Sequence, residues 1–195
     1  MIAGESVAVT IDSRAYRQKP DGREAAGITR RLQKSGPKEL DLRTFCERVR
    51  EGHTWMGGTF NPSESGWGSF IGQRLFALDI DNTTEYQRKD GSKGKRALLP
   101  DESGHLTPKE ALDRCEGLDM AVVCLYSTFS STDECEKFRV VIDAGETITS
   151  ERDARDVLAW LLDEFPEADQ SCRNPNRLFY GSNGNVLEVW AGERP

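Results

Sequence analysis

Apolar residues along this chain gather in short runs separated by polar stretches with glycine and proline punctuation, and the period inside each run predicts its element. Ser6 to Ile11 predicts a short strand, and the polar segment from there to Lys38 reads as an N-terminal appendage, partly flexible. Asp41 is placed to cap a helix to about Arg50, with Leu42, Phe45, Cys46 and Val49 on one face and Gly52 at its end. After a turn-rich stretch, RLFALDI predicts a buried strand, because Leu75, Phe76, Ala77 and Leu78 leave no polar side. The insert from Thr83 to His105 contains RKDGSKGKR and reads as a mobile loop. Thr107, Pro108 and Glu110 form a capping box with proline at the first helical position, which predicts a helix to about Glu116.

Met120 to Tyr126 and Phe138 to Ile142 predict two more buried strands, joined by the polar stretch STFSSTDECEK. Ala154, Val157, Leu158, Leu161, Leu162 and Phe165 recur at helical spacing and predict a helix opened by Thr149 or Ser150 and closed near Pro166. RLFYG and NVLEVW flank Ser182-Asn183-Gly184, an arrangement that predicts a hairpin. Strand, helix, two strands, helix and hairpin in that order predict an α+β fold. The expected architecture is a mainly antiparallel sheet with helices on one face, like an RNA-recognition-motif core, over residues 41–195, with residues 1–40 as a small appendage or as part of the same domain.

A length of 195 residues fits one such domain and one site. No apolar run approaches the roughly 20 residues that span a bilayer, and the N-terminus lacks a signal-peptide layout, so a cytoplasmic protein away from the membrane is expected. Five cysteines, an odd number with no close pair, read as reduced thiols. The net charge is −7, yet residues Met1 to Gly52 hold eleven basic and eight acidic side chains. The acidic remainder suits cations, and the basic part suits phosphate.

Asp79 and Asp81 lie two apart at a strand end, so both carboxylates point to one side and can share a hard cation, or else close the strand as turn residues. Asp169 follows the last helix in a turn-rich stretch, as a loop acid or as the third carboxylate that a two-cation site requires. Lys137 and Arg139 straddle Phe138 and share a face, either holding a triphosphate or lining a solvated edge. Thr128, Ser130, Ser131 and Thr132 add hydroxyls beside them. His53 and His105 have no matching partner and read as solvated; no zinc spacing, Walker loop or nucleophile elbow is present.

Three blocks in order, RLFALDIDN, LYSTFSSTDECEKFRVVI and FPEADQSCRNPNRLFYGS, resemble the archaeo-eukaryotic primase superfamily, in the form carried by phage and mobile-element replication proteins. The resemblance covers roughly residues 40 to 182. It implies that Asp79, Asp81 and Asp169 hold Mg²⁺ or Mn²⁺ and that Arg139 meets the incoming nucleotide's phosphates with Arg177 beside Asp169. It also implies template-directed nucleotidyl transfer on single-stranded DNA with nucleoside triphosphates as substrates. A replicative helicase or another replication protein is the implied partner. The superfamily's middle motif normally carries a nucleotide-contacting histidine, and Ser130 or Ser131 stands there in this chain. That departure favours an alternative, a non-catalytic nucleotide- or single-stranded-DNA-binding module. Leu78-Asp79-Ile80-Asp81-Asn82-Thr83 also fits the opening motif of haloacid-dehalogenase-like phosphatases, whose fold requires alternating parallel βαβ units.

Overall fold

In the computed structural model, which describes residues 6–64, 66–182 and 184–188, the three apolar runs become the central strands β5 (Phe70–Ile80), β8 (Ala121–Ser127) and β9 (Phe138–Ile148). They lie in one sheet with β4 (Gly58–Phe60) and β10 (Val186–Glu188), in the order β10-β8-β9-β5-β4, every neighbour antiparallel. Consecutive residues such as Ala77 and Leu78, or Val140 and Val141, are buried alike, so cover lies on both faces. Each fully buried aliphatic or aromatic side chain contributes about 1.5–3 kcal/mol, which makes this sheet the stable frame of the molecule. The α+β class with mainly antiparallel sheets is as the periodicity predicts.

The predicted helices form with their predicted caps. Asp41 caps α2 (Leu42–Glu51), Thr107 and Glu110 form the box on α3 (Pro108–Gly117), and Ser150 caps α4 (Glu151–Glu164). The helix α3 packs on β8, and α4 on β5 and β9. Where one open sheet face was expected, a second layer is present. It is a sheet of β2 (Lys38–Asp41), β1 (Ser6–Ala15) and β3 (His53–Met56), in that order, with α2. Trp55 of β3 donates its indole N–H to the Tyr126 hydroxyl of β8 at 2.9 Å and meets Phe45 of α2 edge-on at 4.8 Å.

Residues before 41 are more ordered than their polarity predicts. Val7, Val9 and Ile11 of β1 belong to the same buried cluster as Leu75 and Tyr126. A further helix, α1 (Gly22–Ser35), begins with an Asp21–Glu24 capping box and buries Ile28 and Leu32. Its Arg31 grips the buried Asp12 of β1 through two bonds of 2.7 and 2.6 Å. The helix escapes a periodicity search because two buried residues make a thin stripe, and the ion pair supplies the rest.

Two other expectations are corrected. The insert after Thr83 is not a loop: β6 (Thr83–Gln87) and β7 (Lys93–Ala97) pair as an antiparallel hairpin. Among the described residues, RLFYG does not pair with the segment 185–188. Phe179 bridges Trp55 through bonds of 2.9 and 2.8 Å, while β10 pairs with β8. Residues 183 and 189–195, part of the predicted turn and strand, lie outside the described residues. Close main-chain approach decides this path: a Cβ on Gly181 would stand 2.5 Å from the Gly52 carbonyl carbon, and the Ser182 N–H bonds the Val49 carbonyl at 2.8 Å. All five cysteines are free. Among the described residues no helix is long and apolar enough to cross a membrane.

Candidate functional site

The buried run of β5 ends by delivering Asp79, only 5% exposed, and then Asp81 to the wall of a cleft of about 610 Å³. Antiparallel register sets Arg139 of β9 directly opposite Asp79. The guanidinium grips that carboxylate through Nε at 2.9 Å and Nη2 at 3.2 Å, and donates from Nη1 to the Tyr180 carbonyl. Tyr126 and Phe179 flank it, with ring centroids 5.7 and 5.6 Å away. Burial works against its charge, but Asp79 and Tyr126 together outweigh that cost and the Arg139 pKa is raised. Burial pushes the Tyr126 hydroxyl up to about 12, so it stays neutral at physiological pH.

Asp169, ninety residues from Asp79 in sequence, is brought beside it. The chain leaves α4 at Phe165, Ala168 bridges Ile80, and the Asp169 N–H bonds the Asp79 carbonyl at 2.8 Å. Its carboxylate caps the one-turn 3-10 helix Gln170–Arg173 by accepting the Ser171 N–H at 2.9 Å. Arg177 joins the two acids, since one nitrogen, Nη2, lies 2.9 Å from Asp169 and 3.7 Å from Asp79. Burial would raise the Asp169 pKa, but the Ser171 bonds and the charges of Arg177 and Lys95 hold it below the usual carboxylate value.

The other candidates divide. Thr128 and Ser130 line the cleft, and their hydroxyls lie 3.3 Å apart. Ser131 does not line it: its oxygen accepts the Lys137 N–H at 2.9 Å and holds the loop in shape. Lys137 also lies off the cleft wall, but its ammonium reaches Asp81 at 3.4 Å. Arg139 faces the cleft, yet three of its N–H groups are committed to Asp79 and Tyr180. Neither histidine lines the cleft. His53, expected in solvent, is buried with Nδ1 2.8 Å from the Asp12 carbonyl.

Sequence reasoning passed over Lys19, Ser171, Asn174, Asn176 and Tyr180, which line the wall as Phe129 and Leu178 also do. Four of them sit in or next to the turn-rich stretch around Asp169, where composition announces a loop but not its direction. Lys19 precedes α1 and carried no signal. Two buried polar atoms on this wall, Ser171 Oγ and Arg177 Nε, have no hydrogen-bond partner, and such atoms call for a ligand or water.

Among the described residues no group of three or more His, Cys, Asp or Glu is gathered as a ligand set. Arg139 and Arg177 hold Asp79, and Lys137 holds Asp81. The donor chemistry nonetheless fits a hard divalent cation, because carboxylate oxygens suit Mg²⁺ and Mn²⁺. Asp79 and Asp169 already converge on one positively charged atom of Arg177. The fold and cleft define an α+β domain with a charged, hydroxyl- and amide-lined site. Compared with known proteins, the chain matches no family model, no curated protein and no solved structure.

Proposed function

We propose that the cleft binds a nucleoside triphosphate and performs template-directed nucleotidyl transfer in the manner of the archaeo-eukaryotic primases, on a single-stranded DNA template. One observation carries the reading: Asp169 is bonded by its main chain to Asp79 and shares a guanidinium with it. A chance loop acid has no reason to return to the end of the acidic strand. Further support comes from chain order. Strand β9 lies between β5 and β8, both antiparallel to it and hence parallel to each other, as in a split βαβ arrangement. The phosphatase reading is not supported, since these antiparallel neighbours do not make the alternating parallel units it requires.

Asp79, Asp81 and Asp169 are the residues to hold Mg²⁺ or Mn²⁺, which when bound activates the attacking 3′-hydroxyl and neutralises the leaving pyrophosphate. Arg139 keeps Asp79 in place from below. Arg177 holds the acids together before the ligand arrives, and its donors are then available to phosphate oxygens, with Lys19, also on the cleft wall, adding charge. Thr128 and Ser130 offer hydroxyl donors, and Ser130 is one of the two serines that stand where the superfamily normally carries histidine.

Template-dependent incorporation of labelled nucleotide with Mn²⁺, and its loss in Asp79→Ala and Asp169→Ala, tests the proposal. A second reading, a binding module without catalysis, is favoured by the hold of two guanidinium groups on Asp79. It requires nucleotide binding with no release of pyrophosphate.

A further inference from the structure

The β6–β7 hairpin starts two residues after Asp81 and takes no part in the cleft wall. Asn82, buried and in a left-handed backbone conformation with φ 45°, clamps its base. The Asn82 amide nitrogen donates to the Leu106 and Glu136 carbonyls at 2.8 and 2.9 Å, its oxygen accepts the Leu106 N–H at 2.9 Å, and its carbonyl accepts the Leu98 N–H at 2.9 Å. The hairpin is therefore fixed in direction although its arms are exposed. Tyr86 stiffens it by lying over Gly94, where an added Cβ would come within 2.7 Å of the ring.

Residues Thr83 to Ala97 hold five basic and two acidic side chains in a chain of net charge −7. Lys93 and Lys95 alternate on β7 and so share one side. The hairpin grows from the cleft end of β5, since Asp81 lines the cleft and β6 begins two residues later. Lys93 pairs with Glu85 at 2.9 Å, whereas Arg88, Lys89 and Lys95 make no ion pair among the described residues. A polar strand pair burying little apolar area has no evident packing role. Its cost in self-repulsion is offset when phosphates arrive.

We propose that this hairpin is the docking rail for a single-stranded nucleic acid, whose phosphates meet Arg88, Lys89, Lys93 and Lys95 as the strand runs to the cleft. A single strand fits better than a duplex because the hairpin adjoins a cleft of about 610 Å³, too small to admit a double helix. The inference rests on the nucleotidyl-transfer reading and assigns its strand-binding surface.

The test replaces Arg88, Lys89, Lys93 and Lys95 together by Ser and measures anisotropy of a fluorescein-labelled oligothymidylate over a salt series, beside a blunt DNA duplex. Lys95→Glu alone is the second variant. Binding of the single strand should weaken at least about tenfold at low salt, and the salt slope should fall by about 2–3, since each lost phosphate contact removes about 0.7. Unchanged affinity and slope in a variant with unaltered circular dichroism overturn the inference, as does a larger loss on the duplex. Titration with Mn²⁺ and a nucleoside triphosphate separates the two readings. Failure of the hairpin with nucleotide binding retained overturns this inference alone. Absence of nucleotide binding in the unaltered protein overturns the cleft reading beneath it.

Discussion

Strands β5 and β9 carry two arginine–aspartate pairs, one toward each end, and the two differ in what surrounds them. At one end Arg74 grips Asp143 at 2.7 and 2.9 Å, and Asp143 also accepts the Gly145 N–H at 2.8 Å. At the other end Arg139 grips Asp79 with nearly the same geometry, but a second arginine, a second acid and a cleft adjoin it. The Arg74 pair cross-links the two strands and is no part of that cleft wall. The Arg139 pair stands at the edge of an open site whose neighbours include polar atoms without partners. Ion-pair chemistry alone therefore does not mark function; the cleft and the second acid beside a pair do.

The largest effect expected is at the Arg74 end. Arg74→Ala leaves Asp143 buried without its counter-ion, which should cost about 3–5 kcal/mol in urea unfolding while nucleotide affinity of the folded protein stays unchanged. A cost below about 1 kcal/mol would make the two ends alike and break the comparison. Next, Arg177→Ala should weaken Mn²⁺-dependent nucleotide binding by about 1.5–3 kcal/mol, the worth of a hydrogen bond to a charged group, as read by calorimetry. Equal affinity in the variant would leave Arg177 a structural clamp like Arg74.

Ser171→Ala should change stability little, since its oxygen has no protein partner, and should cost about 0.5–1.5 kcal/mol in nucleotide affinity. The reverse result, lost stability with unaltered affinity, would make that oxygen part of the frame. The smallest effect concerns pH. Asp169 titrates below its unfolded value, so its contribution is complete above the usual carboxylate range near 3.9 and is lost as pH falls through the depressed folded value. Moving from pH 7 to 5 should not alter its part in stability, and Asp169→Asn should flatten the acid limb of the unfolding curve.

Much of the frame was legible because local rules govern it. Asp41 before Leu42, and Thr107-Pro108 with Glu110, announce helix starts wherever they occur, and unbroken apolar runs such as RLFALDI announce buried strands. The helix α1 was missed although Asp21 and Glu24 form a box of the same kind, since its polarity is offset by a distant partner, Asp12. The hairpin after Asp81 was missed because charged residues at a turn look alike whether or not a buried asparagine fixes the base.

In the cleft, the sequence by itself determined that Asp79 stands at the end of one buried strand and Arg139 near the start of another, because unbroken apolar runs announce buried strands. It did not determine which cation meets which acid. That was decided by the register of β5 against β9, which sets Arg139 on Asp79, and by the chain's return after α4, which sets Asp169 and Arg177 on the same carboxylate. Register and return path arise from burial summed over the whole core. Residues ninety positions apart meet for reasons written in neither of their neighbourhoods.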